Sequence, residues 1–255
     1  MNITPLLTEA EHHLADHALE RAATLYAQAQ AQCAGLSPLP RLGLARVALL
    51  RECPDEAAQV LDGLLNDFPK CAAALSLRGV VEEKRGDLEA AAHLHHRALT
   101  LEPTLTLAHL NLGRLAMKQQ QWARAAASYQ LAVEHGATTP DVGAQFGLAL
   151  FRAGRVSDAV RVLGHVVEGH PKHLDALFAL VEVLVETAQL TFAAQLLDNA
   201  VERFPHEPRI ASKRARIAVQ LNDLEAARRE AWRVTSLAPN DPEPWLFAAV
   251  VDNLA

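Results

Sequence analysis

Histidine is the residue type in this chain with the most scope for chemistry: twelve occur, against three cysteines. His13 and His17 lie four apart, so on a helix they share one face at a spacing that suits a transition metal. His93, His95 and His96 form a second cluster. Neither carries the His-Glu-x-x-His pattern with which a helix builds a hydrolytic zinc site. Each cluster therefore reads either as packing or surface histidines or as an adventitious nickel or zinc site, and the first reading is preferred. Cys33, Cys53 and Cys71 have no Cys-x-x-Cys spacing and cannot all pair. They read as structural thiols of a reducing compartment, with a redox or metal role as the alternative. The sequence holds no Gly-x-Ser-x-Gly, no phosphate loop and no dinucleotide glycine fingerprint. The expectation is a non-catalytic protein without catalytic residues, cofactor or metal.

What the sequence positions instead is a repeat. Ala57, Ala91, Ala125, Ala159, Ala193 and Ala227 stand at intervals of 34, with Ala22 in front at 35. Gly79, Gly113 and Gly147 share the phase, their place being held by Ala45, Val181, Ala215 and Ala249 in the other units. Pro69, Pro103, Pro171, Pro205 and Pro239 form a third column, broken by Ala137. A unit of this length is too short to own a core and long enough for one helical hairpin, so the hairpins must stack and bury one another. A small residue midway along the first helix lets the second approach closely. Proline beyond an apolar helix end stops that helix and extends the chain toward the next. Hydrophobic residues at 50% with aromatics at only 5% suit thin, closely packed helices.

The order small residue, small residue, proline at these spacings resembles the tetratricopeptide repeat. Repeat three shows it in Leu75, Gly79, Gly86-Asp87, Ala91, Ala98 and Pro103, and repeat four adds Leu112-Gly113, Ala125, Tyr129 and Ala132. The resemblance implies an all-α, right-handed superhelical solenoid of helix-turn-helix repeats, a single array over residues 1–255. Its units are 3–37, 38–71, 72–105, 106–139, 140–173, 174–207 and 208–241, with a final helix at 242–255. There are departures. The tryptophan usual near a repeat's start appears only as Trp245, and the aromatic usual in the second helix is Leu61, His95, Leu163, Leu197 or Ala231.

The resemblance further implies that the first helix of each hairpin lines a concave wall, with its second, fifth, ninth and twelfth residues facing the groove. Those places hold Leu39, Leu42, Arg46 and Leu49 in repeat two, and Leu107, Leu110, Arg114 and Met117 in repeat four. Repeat five supplies Asp141, Ala144, Leu148 and Phe151, repeat six Asp175, Phe178, Glu182 and Val185, and repeat seven Arg209, Ser212, Arg216 and Val219. The lysine and asparagine clamp with which adaptor members hold a terminal carboxylate is unmatched, since its places hold Leu42/Arg46, Ser76/Val80 and Leu110/Arg114. An apolar stripe from Leu42 to Val185, punctuated by Arg46, Arg114 and Glu182, suits an amphipathic helix or an extended apolar peptide of a protein partner. The competing account buries the same side chains against the next repeat. The expected function is a protein–protein interaction adaptor or assembly scaffold. The recognition arm of a larger enzyme or complex, or a self-assembling structural protein, are the alternatives.

A net charge of −6 argues against nucleic acid, which demands a basic groove. The distribution is uneven. Repeat six opposes six acids to Arg203 alone, whereas repeat seven carries Arg209, Lys213, Arg214, Arg216, Arg228, Arg229 and Arg233 against four acids. Mutual support between neighbouring repeats is one account; an acidic or phosphate-bearing ligand on repeat seven is the other. The chain lacks an apolar run of about 18 residues and Met1 to Leu14 lacks a signal peptide's form, so no membrane insertion and a cytoplasmic location are expected. Within the final helix that Pro242 opens, the run from Trp245 to Val251 reads apolar on every side over almost two turns. That helix is expected to be covered by a second copy, a partner or a further domain through Trp245, Phe247 and Val251.

Overall fold

The structure is a computed structural model that describes residues 2–254, so Ala255, the end of the expected final helix, lies outside the described residues. Among those residues there are fifteen α-helices and no strand, in two compact units, Met1–Thr138 and Thr139–Ala255. The first unit holds four hairpins: α1 (Thr4–Ala15) with α2 (Leu19–Cys33), α3 (Leu39–Leu50) with α4 (Pro54–Asp67), α5 (Ala72–Arg85) with α6 (Leu88–Leu101), and α7 (Thr106–Lys118) with α8 (Trp122–Glu134). The second holds α9 (Pro140–Arg152) with α10 (Val156–Gly169), α11 (Leu174–Glu186) with α12 (Leu190–Arg203), α13 (Pro208–Gln220) with α14 (Leu224–Leu237), and α15 (Pro242–Leu254).

Local sequence sets the helix ends. Proline opens α4, α9, α13 and α15, where its missing N–H costs nothing. Asp87 and Asp223 cap α6 and α14 by accepting from Ala90 N and Ala226 N at 2.9 and 3.0 Å. Each hairpin turn passes through one residue with left-handed backbone: His17, Glu52, Gly86, Gln120, Gly154, Ala188 and Asn222. In all seven, the next N–H donates to the carbonyl five residues back, as Asp87 N does to Glu82 O at 3.0 Å, closing the last turn of the first helix.

The three columns have distinct jobs. Every alanine of the first, from Ala22 to Ala227, is fully buried. The glycines of the second are sockets for a residue sixteen positions on. A Cβ at Gly79 would stand 2.8 Å from the His95 ring, one at Gly113 3.0 Å from Tyr129, and one at Gly147 2.6 Å from Leu163 Cδ2. The same plug also meets the first helix of the following repeat, and there sizes compensate. Tyr26 lies against Gly43, where even a methyl would collide, whereas Ala231 leaves room that Phe247 partly fills beside Ala215 and Ala248. Proline residues of the third column sit in the turns between hairpins.

Candidate functional site

Size compensation between a plug and the next repeat shapes a cleft in each unit. In the first, Gly43 opposite Tyr26 opens a cleft of about 430 Å³ whose apolar lining is Leu7, Leu39, Leu42, Leu77 and Leu107, from α1, α3, α5 and α7. Its polar edge is tied together: Glu11 accepts from the Tyr26 hydroxyl at 2.7 Å and from Arg46 Nη1 at 2.7 and 2.9 Å. Burial, reinforced by the bond to Glu11, pushes the Tyr26 hydroxyl above its ordinary value, so it stays a donor.

In the second unit, Ala231 underlies a cleft of about 340 Å³ between α13 and α15, walled by Arg209, Ser212, Lys213, Arg216, Glu243 and Phe247 among others. Arg209 pairs with Glu207 at 2.8 Å and more loosely with Asp175 at 3.9 Å. Arg216 donates to Glu243 at 2.7 Å. Lys213 has no carboxylate partner among the described residues. The Arg209 guanidinium and Lys213 Nζ stand 4.9 and 5.4 Å from the centre of the Phe178 ring, and Arg216 stands 6.0 Å from Phe247.

The expected inner-wall residues divide among these clefts and other surroundings. Leu42, Arg46 and Leu107 meet in the first cleft. Leu49 is only 7% exposed in the core with Ala57, Leu61 and Val81, so it has no surface to offer a ligand. Leu110 and Met117 are half-buried on α7 and do not line the cleft, while Arg114 is exposed and donates to Glu83 at 3.2 Å. In the second unit Leu148, Phe151, Phe178 and Val185 are half-buried against the core of α9–α12. Glu182 accepts from Arg152 at 2.5 Å. Arg216 and Phe247 share the second cleft. Of the residues expected to meet a partner at α15, Val251 is fully buried among Ala218 and Ala227 within the chain itself. Among the described residues of α15, the outward large apolar side chains are Trp245, Leu246 and Val250, with Trp245 edge-on to Trp232 at 5.8 Å.

Neither histidine cluster converges. His93 and His96 are exposed while His95 is buried, and His13 faces Glu9 at 3.9 Å. Among the described residues no three His, Cys, Asp or Glu side chains are placed to hold a metal ion. All three cysteines are unpaired. His95 instead anchors a polar core that the repeat pattern did not announce. Its Nδ1 lies 3.1 Å from Ser76 Oγ, which accepts from Asn111 Nδ2 at 3.2 Å, and Arg114 donates to Asn111 Oδ1 at 3.1 Å. Burial pulls the His95 imidazole down to about 4, so the ring is neutral. Burial of Glu83 acts to raise its carboxyl, but the hydrogen bond from Lys118 at 2.6 Å and the charge of Arg114 outweigh this and hold it below the usual range.

No described helix is long and apolar enough to cross a membrane. Two family models described as tetratricopeptide repeat match, one over residues 41–104 and one over 150–217. A TPR repeat-containing protein of Pseudomonas aeruginosa is 28% identical over 137 residues, which are 52% of this chain and 23% of that protein, so the chain spans about a quarter of its relative's length. Among solved structures, YrrB, a TPR protein with an unusual peptide-binding site, aligns with a TM-score of 0.62 at 16% identity, over 77% of this chain and 99% of its own. PilF of Pseudomonas aeruginosa aligns with a TM-score of 0.65 at 18% identity, over 82% and 95%. With its in-step alanines, its plugged glycine sockets and these matches, the chain belongs to the tetratricopeptide-repeat family, whose fold is that of a protein–protein interaction scaffold.

Proposed function

We propose that the chain is a non-catalytic adaptor that holds a peptide or helical segment of a partner protein in the cleft of its first unit. The observation that carries this is the convergence of Leu7, Leu39, Leu42, Leu77 and Leu107, from four first helices, around a cleft with one fixed polar edge. Apolar walls with few, well-placed polar groups are what an anchoring side chain needs. The Glu11, Arg46 and Tyr26 triad offers the ligand backbone a carboxylate and a guanidinium already held in place. A peptide ligand also accords with the peptide-binding site of YrrB.

The test is a displayed library of linear peptides selected on the full chain. Leu42→Asp and Leu107→Asp are expected to weaken the enriched peptides at least about tenfold, as loss of an apolar anchor does. Phe192→Asp, at a residue of α12 that is 65% exposed, should leave them unchanged. Equal binding by all three variants removes the cleft from the interaction.

A further inference from the structure

The second cleft differs from the first in the charge that surrounds it. Arg209, Lys213 and Arg216 fall at i, i+4 and i+7 of α13, so three like charges occupy one helix face, with Glu207 beside the first, Glu243 beside the last and no carboxylate on Lys213 between them. Balancing the acidic repeat before it accounts for Arg209, whose partners Glu207 and Asp175 both belong to that repeat, and for Arg214, which bonds Asp198 from another side of α13 at 2.7 Å, but not for Lys213 and Arg216. The three on the cleft face are not equally engaged. Lys213 has no acid among the described residues, Arg209 donates from Nε to Glu207 at 2.8 Å and reaches Asp175 only at 3.9 Å, and Arg216 and Glu243 form an exposed pair. Exposed pairs of that kind hold little and exchange readily for a better-placed carboxylate.

Beneath the cations lies apolar surface. Phe178 supports Arg209 and Lys213, Phe247 supports Arg216, and Ala231 leaves the floor open where sibling repeats have leucine, tyrosine or histidine. We propose that this cleft is a second binding site of the chain, specific for an acidic peptide segment of a protein, in which carboxylate side chains bridge Lys213 to Arg209 and Arg216 while an apolar side chain between them enters over Ala231. A guanidinium resting on an aromatic ring keeps its edge N–H groups turned outward, so Arg216, and Arg209 through the N–H groups that Glu207 leaves free, can donate to such carboxylates. The site is independent of the cleft in the first unit.

Fluorescence anisotropy on the full chain tests this, with a labelled peptide in which glutamates flank a leucine as probe. Lys213→Glu is expected to weaken binding at least about tenfold, and added salt should weaken it further, as for any pairing of exposed charges. Ala231→Leu fills the cleft without touching a charge, using the residue that Leu163 and Leu197 place in the same slot, and should also abolish binding. Should that variant fold poorly in a thermal melt, the Lys213→Glu result decides alone. Arg228→Glu, on α14 and paired with Asp252 at 2.8 Å, serves as the charge control and should bind as before. Equal affinity for a peptide with glutamine in place of glutamate, or unchanged binding by Lys213→Glu, overturns the proposal. So does a phosphoserine peptide that binds where the glutamate peptide does not, since it moves the ligand class from carboxylate to phosphate.

Discussion

His95 shows how one side chain can fit a repeat and still depart from it. It fills the slot where Tyr26 and Tyr129 stand, and Gly79 is small because of it. An imidazole there must remain neutral, because Nε2 is buried without a partner and no carboxylate touches the ring. The unfolded chain takes up a proton near the ordinary histidine value of about 6.5, the folded chain only near 4. A base whose folded value is depressed contributes its full stability above the unfolded value and loses it as pH falls toward the folded one. Urea unfolding is therefore expected to show about 2 kcal/mol lost at pH 5 relative to pH 7 through this residue alone. His95→Leu should lack that part of the loss while the other histidines titrate as before. The same slope in both proteins would show that His95 is not responsible. The burial of this histidine was legible in the sequence, because its phase matched that of buried aromatics elsewhere. Its partners were not: a 34-residue period says which position faces inward and nothing about Ser76 and Asn111 being close enough to bond it.

At the scale of the element, the hairpins could be read from spacing because apolar and small residues recur wherever helices touch. The turns could not. Five of the seven left-handed positions hold His, Glu, Gln, Ala or Asn, and only Gly86 and Gly154 advertise themselves by type. Ala188, at φ 58°, carries the cost most plainly, since its methyl crowds the following carbonyl and gives nothing back in hydrogen bonds. Ala188→Gly is expected to raise stability by about 0.5 to 1 kcal/mol, offset in part by the greater freedom of glycine in the unfolded chain, as measured by denaturant midpoint at constant slope. A lower midpoint would mean that Ala188 makes packing contacts worth more than the strain. The clefts escaped the sequence for a different reason. Each arises from a pair of sizes in two helices of successive repeats, Tyr26 with Gly43 and Ala231 with Phe247, so no single column displays it. Leu49 failed as a groove residue on similar grounds, because α3 sinks deeper against α4 and α5 than its position number conveys.

Within each unit, stability is shared among neighbours, since a repeat touches those beside it and little else. Gly147→Ala drives a methyl into Leu163 and should cost about 1 to 3 kcal/mol, a cost confined to the second unit. Hydrogen exchange is expected to quicken in α9–α12 and to leave α1–α4 protected. Comparable loss in both units would show a single cooperative block. Matching plugs to sockets across successive repeats has a further meaning for how such a chain can change by gene rearrangement. Were the seventh hairpin followed by the second, Gly43 would face Ala231 and leave a hole. Were the first followed by the segment beginning at Pro242, Phe247 would strike Tyr26. The repeats look alike in outline, yet each carries on its edges an address that names its successor. A duplication or a crossover that ignores those addresses yields a chain of the correct period that cannot close its core, and the order of the repeats is inherited along with their number.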